Sequence, residues 1–414
     1  MKDIIVQKFG GSSVSDTEKI KKVALNVIRE KKAGNDVLVV VSAMGKTTDN
    51  LIKLAKEITE NPSGREADML LSTGEGVSIA LLAMAIQAQG YKAVSFNAMQ
   101  VGILTESVHQ NARIKEIDTT RIKEAFNNDE IVIVAGFQGI TEDGEITTLG
   151  RGGSDTSAVA LAGVLKAKRC DIYTDVDGVY TADPRVVPNA SMLKEVSYGE
   201  MLELARVGAK VLHPRSVETA KNEGIALRVR STFHPENEGS LVTARRNIEY
   251  IKPVRGVAAD LSQIRVVFSC VPDVPGVAAK LFGGLSKENI SVDMIIQSFA
   301  RRKNNTNDIA FTVSSEDFHR AKTIFEKIKK EIGATEIHIN ENIAKVSIVG
   351  AGMVDKPGIA STMFEAIANI GVNIKMIATS EIKISCLVSR DEANECVKAL
   401  CKAFELEEEK TLVK

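Results

Sequence analysis

The sequence predicts an α/β protein with a mainly parallel sheet, followed by two smaller βαββαβ units. Three observations carry this. Short apolar runs alternate with amphipathic segments over residues 1–230, the rhythm of βαβ crossovers with ligands at the carboxyl ends of the strands. The stretch from Ser231 to Gly239 (Ser-Thr-Phe-His-Pro-Glu-Asn-Glu-Gly) is polar and turn-rich and breaks that rhythm. Beyond it the chain repeats itself at one constant spacing. Pro275-Gly276 matches Pro357-Gly358, Phe282 matches Phe364, Val292 matches Ile374, Met294-Ile295 matches Met376-Ile377, and Ser298 matches Ser380.

The elements follow in order. Ile4–Gln7, Val37–Val41, Ala93–Phe96, Ile131–Ala135 and Ile172–Thr174 have the continuous apolar character of strands buried on both faces. Between them, Thr17–Lys32, Asp49–Ile58, a single long Glu66–Gln89 and Ser154–Leu165 read as helices. The division expected is 1–230 for the first domain, 231–262 for a linker, 263–342 for the first repeat and 343–414 for the second. Each repeat is small enough to need a neighbour. The second lacks a clear closing strand after Phe404, and Val254–Ala259, upstream of the first repeat, is placed to supply it.

Composition narrows the function. The 53 basic and 54 acidic side chains nearly cancel, which argues against nucleic acid or a membrane surface as partner. No apolar run is read as reaching the ~18 residues of a membrane span. The five cysteines include no CxxC pair and read as reduced core thiols of a cytoplasmic protein. Met1-Lys2-Asp3 leads straight into a strand with no secretory pattern.

Several motifs carry chemistry. Lys8-Phe9-Gly10-Gly11-Ser12-Ser13-Val14 follows the first strand. Paired glycines let backbone N–H groups approach an anion, and the lysine adds a point charge. A plain tight turn explains the glycines equally well. Arg151-Gly152-Gly153-Ser154-Asp155 precedes a helix, where free N–H groups and a guanidinium fork suit a phosphate or carboxylate. Gly45-Lys46-Thr47 resembles the end of a P-loop, but Val40 stands where the first glycine belongs, so a Walker loop is rejected. Ser42 and Thr48 remain as hydroxyls beside that turn. In Ser72-Thr73-Gly74-Glu75-Gly76, a ligand amine could meet Glu75, although a solvated kink is the plainer reading. Thr174 to Arg185 is the densest polar segment and suits a nucleotide, lacking the glutamate that closes a calcium loop. Val349 to Asp355 imitates a dinucleotide fingerprint but aligns with the first repeat, so it is read as a repeat strand and turn. The histidines show neither metal spacing nor triad logic.

Together these segments resemble the aspartate kinase (aspartokinase) family. The matching stretches are Lys8 to Val14, Ser42-Ala43-Met44-Gly45, Thr73-Gly74-Glu75, Thr148 to Thr156, Thr174 to Arg185, and Leu212-His213-Pro214-Arg215-Ser216. The doubled C-terminal unit resembles the family's two ACT domains. The resemblance implies an amino-acid-kinase three-layer sandwich with ACT-type repeats behind it. It also implies transfer of the ATP γ-phosphoryl group, with Mg²⁺, to the β-carboxylate of L-aspartate, giving 4-phospho-L-aspartate, the first step of lysine, threonine and methionine synthesis.

By the family pattern, Lys8 would stabilise the transferring phosphoryl, Asp155 would orient Lys8, and Phe9, Gly10 and Gly11 would line the phosphates. Arg151 and Thr48 would grip the substrate α-carboxylate and Glu75 its ammonium, with Ser42, Gly152, Gly153 and Ser154 beside them. Thr174, Asp175, Tyr180, Asp183, Arg185 and Lys210 would hold ATP, and Mg²⁺ would be held by phosphates and water rather than by protein ligands. Asp273, Gly276, Val277, Ala278 and Gln297 in one repeat, and Asn373, Ile374, Thr379, Ser380 and Glu381 in the other, match effector positions. Core packing alone would account for Val277 and Ile374. The implied effector is lysine, with threonine second, bound in a homo-oligomer, a dimer or tetramer joined through the ACT domains. Two rivals remain: a kinase of another carboxylate such as glutamate, and a non-catalytic amino-acid sensor.

Overall fold

The computed structural model describes residues 2–209, 211–244, 252–298, 305–353 and 356–408. The chain forms two compact units. The first holds Met1–Val179, Met192–Ala205 and Lys210–Ile248; the second holds Tyr180–Ser191, Arg206–Ala209 and Glu249–Lys414.

The first unit is built on an eight-stranded sheet in the order Glu195–Ser197, Ser240–Thr243, Leu227–Ser231, Arg169–Thr174, Ile4–Phe9, Asp36–Val41, Ile131–Ala135, Ala93–Phe96. Every pairing is parallel except that of Leu227–Ser231 with Ser240–Thr243. The central strands are buried on both faces because helices cover both. Thr17–Lys32 and Thr73–Gln87 press Val23, Val27, Leu82 and Ile86 onto Val37, Val39, Ile131 and Ile133. The helix Gly153–Val164 lies against the Ile4–Phe9 strand. Alternation along that strand sends Phe9 into the first layer, where it stacks on Tyr173 at 4.5 Å, and Lys8 toward Asp155 of the Gly153–Val164 helix. A small sheet of Ile114–Ile117, Ile103–Thr105, Gln138–Ile140 and Ile146–Thr148 completes the unit.

The long helix expected over Glu66–Gln89 is two helices, Gly64–Leu71 and Thr73–Gln87, parted at Ser72. The carbonyl of Ser72 is held by the side chain of Gln138, 2.5 Å away, a tertiary contact that local propensity does not contain. The stretch Gly64–Gln87, 24 residues, is long and apolar enough to cross a membrane, so the expectation that no run reaches that length was wrong. Its buried Asp68 and Glu75, and the packing of Ile79, Leu82 and Ile86 on the sheet, make it a core element.

The second unit contains two four-stranded antiparallel sheets. One runs Val292–Gln297, Thr306–Ser314, Gln263–Pro272, Glu336–Asn340; the other runs Gly256–Asp260, Ala344–Val349, Lys383–Val388, Met376–Ser380. Gly256–Asp260 pairs with Ala344–Val349, the edge that Glu336–Asn340 fills in the first repeat by pairing with Gln263–Pro272. An upstream strand thus closes the second repeat. The fingerprint-like segment begins at Val349, the last residue of the repeat strand Ala344–Val349, and continues as the turn after it. Val354 and Asp355, at the end of that segment, lie outside the described residues. The repeats meet through Met294, Ile343, Met376 and Leu387 and through an ion pair of buried Lys345 with Asp293.

Candidate functional site

The site grows from three strand exits that parallel packing brings side by side. Lys8 stands near the end of the first strand, and its ammonium lies 2.6 Å from Asp155 Oδ1, with side chains only 11% and 13% exposed. The contact is a close ion pair without hydrogen-bond alignment, since Oδ1 has no aligned donor. Buried charges of this kind persist when paired. Gly10 and Gly11 turn directly after it. A Cβ on Gly11 would sit 2.8 Å from the Ala43 carbonyl oxygen and 3.0 Å from that of Gly45. The two loops are joined backbone to backbone, Gly45 N donating to Gly11 O at 3.0 Å and Ser42 N to Phe9 O at 3.1 Å. The side chain of Phe9 is fully buried, which leaves its backbone to face the turn.

Ser42, at the end of the second strand, donates from Oγ to Ser154 Oγ at 3.0 Å. The next amide, Ala43 N, donates to Glu75 Oε1 at 3.2 Å. Glu75 is 2% exposed, so it is no solvated kink. Its other oxygen receives Gln138 Nε2 at 3.4 Å. These donors, like its own backbone N–H, are neutral amides, and burial pushes the carboxyl up to about 7, because desolvation penalises the charged form. A positive charge beside it would favour its ionised form. Thr48 is half-buried in the first turn of the helix Thr47–Ile58.

Arg151 is exposed, immediately before Gly152. Gly152 adopts φ +69°, and a Cβ there would lie 2.3 Å from His213 Cβ. The glycine is therefore required by packing as well as by the turn. His213 has its pKa lowered by burial. Gly153 likewise abuts Phe137, 2.8 Å from where its Cβ would be. Ser154 and Asp155 lie in the first turn of the helix, with its free N–H groups. Asp68, fully buried, braces this loop by accepting from Thr148 Oγ1 at 2.6 Å, His109 Nδ1 at 2.8 Å and Gln110 N at 3.0 Å.

The nucleotide positions divide. Thr174 ends a strand of the first unit and Asp175 follows it; Thr174 Oγ1 caps its own turn by accepting from Val176 N at 3.0 Å. Tyr180, Asp183 and Arg185 belong to the second unit. Tyr180 packs on the core of the second repeat, and the exposed Arg185 pairs with Asp183 at 2.7 Å. Lys210 lies outside the described residues. Among the described residues, no group of three or more His, Cys, Asp or Glu is arranged to hold a metal ion.

In the second unit, Asp273, Gly276, Val277, Ala278 and Gln297 all line one cavity of about 100 Å³, joined by Asn307 and Ile309. Thr379 and Ser380 lie on the exposed edge strand Met376–Ser380, with exposed Glu381 following and exposed Asn373 before it. Val277 and Ile374 contribute to their repeats' cores.

Sequence reasoning missed Gln138, the second donor to Glu75. Its only signal was a polar residue just after the buried Ile131–Ala135 run. The turn that delivers it holds Phe137 at φ +70°, strained for a bulky side chain.

Three family models match in order: the amino acid kinase family over residues 3–231, and ACT domains over 264–333 and 346–404. An aspartokinase of Geobacillus stearothermophilus is 51% identical over 99% of both chains. Among solved structures, E. coli aspartokinase III in complex with aspartate and ADP is 28% identical, with a TM-score of 0.82 over 97% of this chain and 99% of that one. The same enzyme in complex with lysine and aspartate gives a TM-score of 0.74 over the same shares.

Proposed function

Because this chain belongs to the aspartokinase family, we propose that it transfers the γ-phosphoryl group of ATP to the β-carboxylate of L-aspartate. The observation that carries this reading is the pairing of two unlike carboxylates in one site. Asp155 is matched to Lys8 at 2.6 Å, and the buried Glu75, among the described residues, is met by neutral amides.

The chemistry needs no general base. A free aspartate side chain has a pKa near ~4 and is already ionised. What remains is positioning and neutralisation of charge on the moving phosphoryl. Lys8 supplies that charge at a fixed place, oriented by Asp155. Backbone donors of Gly10 and Gly11 lie beside it. Glu75 takes the substrate α-ammonium, and Arg151 with Thr48 takes the α-carboxylate, while Ser42, Gly152, Gly153 and Ser154 border the reacting groups. Thr174 and Asp175 at their strand exit, and Tyr180, Asp183, Arg185 and Lys210, are assigned to the nucleotide by family pattern. Mg²⁺ bound to the phosphates would offset their charge, and the oxygen-rich phosphate environment suits it better than a protein cage. A free ammonium partner for Glu75 disfavours an N-acylated substrate.

The ACT repeats serve as the sensor, with lysine the first effector and threonine the second, in a homo-oligomer. Support comes from the single cavity gathering five of the positions and from the E. coli relative solved with lysine. The five cysteines, four of them buried, fit a cytoplasmic protein. Release of ADP with aspartate, assayed with lysine and threonine singly and together, tests the whole reading. Ser380→Ala should relieve inhibition several-fold at unchanged kcat; undiminished inhibition would move the sensor site elsewhere.

A further inference from the structure

The turn after the Ile131–Ala135 strand carries a polar side chain, Gln138, into a buried position. Gly136 lies tight against Ser154, 2.8 Å from where a Cβ would be. Phe137 at φ +70° is anchored at both ends, its N–H donating to Ser157 Oγ at 3.1 Å and its carbonyl accepting from Leu149 N at 2.8 Å. This geometry delivers Gln138, 5% exposed, between two elements. Its Nε2 reaches the Ser72 carbonyl at 2.5 Å and Glu75 Oε2 at 3.4 Å. One amide thus ties the break between two helices to a carboxylate one turn further along.

We propose that Gln138 is the positioning residue for Glu75, setting both the direction of its carboxylate and the pH range in which it accepts the substrate ammonium. The proposal rests on Glu75 holding that ammonium. Ala43 N already holds Oε1 from one side, and Gln138 holds Oε2 from the other, so the carboxylate plane is fixed by two donors from different elements. A donor to the charged form favours it. Removing Gln138 therefore raises the pH at which Glu75 ionises and frees its rotation. The positive φ of Phe137 is backbone strain of the kind that gathers at functional sites.

The test uses the full chain and initial rates, with aspartate varied at saturating ATP between pH 5.5 and 9. Gln138→Met keeps length and removes the donor. It should raise the aspartate KM about tenfold, with a smaller change in kcat and an unchanged KM for ATP. The acid limb of kcat/KM for aspartate should move to higher pH. A KM and a limb both within twofold of wild type would overturn the proposal. Gln138→Glu covers the case in which the methionine variant does not fold. It places a second carboxyl against the first, so the acid limb of kcat/KM for aspartate should again move to higher pH; a limb at the wild-type position would overturn the proposal. Glu75→Gln separates the two readings. Normal aspartate KM in that variant sinks the assignment of Glu75 itself, whereas its loss beside an unaffected Gln138→Met sinks only the role of Gln138.

Discussion

Asp155 and Glu75 share a site, and they are neutralised in opposite ways. Asp155 finds its countercharge inside the protein, in Lys8 at 2.6 Å. Glu75 is more deeply buried and is met by amides, Ala43 N and Gln138 Nε2. The first arrangement is complete before any ligand arrives and suits a charge that must be fixed in the transition state. The second is left incomplete and suits a charge that the substrate itself brings. The contrast separates catalysis from recognition within one cleft, and each half is expected to fail differently.

The largest effect is expected from Lys8→Ala. Removing the fixed charge should cost about 10³ in kcat while the aspartate KM moves little; a kcat near wild type would break the comparison at its catalytic end. Asp155→Asn should fall between, with kcat lowered and stability reduced by about 3 kcal/mol, because a buried lysine is left without its partner. Urea denaturation checks the second part.

Glu75→Gln should show the opposite pattern, an aspartate KM raised about 100-fold with a smaller loss of kcat. The same carboxyl gives a pH signature. It is held at about 7 by burial, so below neutrality it carries a proton and cannot take an ammonium. The aspartate KM should rise about tenfold per pH unit below 7 and level off above it. A flat profile from pH 5.5 to 8 would remove Glu75 from recognition.

The last effect concerns stability without ligand. A carboxyl raised from 4.5 to about 7 binds a proton in the folded state that the unfolded chain releases. Stability from this group is therefore full below about 4.5 and is lost as pH rises toward 7, by about 3 kcal/mol at most. Glu75→Gln should melt higher than wild type at pH 8 and nearly level with it at pH 5. Equal melting at both would mean that the carboxylate is better solvated than its burial implies.

Much of this was legible because local rules and tertiary structure agreed. Thr17–Lys32 reads as a helix to the residue, capped by Asp16, whose side chain accepts from Lys19 N. The buried parallel strands announced themselves as apolar runs, and the repeat was visible from matched Pro-Gly turns. The Lys8 and Asp155 partnership was legible only through the family resemblance, since some 150 residues separate them in sequence. What stayed hidden depended on contacts at long range. Gln138 ends the helix at Ser72 by taking its carbonyl. Glu75 looked like a surface kink because the packing that buries it comes from other strands. Phe9 beside a glycine turn looked like a ligand contact, yet strand alternation turns it into the core. Gly152 suggested an anion, and it also answers to His213 packed against it.

The most direct test of the central claim is ADP release by the full chain with ATP and each of aspartate, glutamate and N-acetylglutamate in turn. Saturable turnover is expected with aspartate, with glutamate far weaker and acetylglutamate inert because it lacks the ammonium that Glu75 holds. No turnover with aspartate, or equal turnover with the acylated acid, would contradict the account.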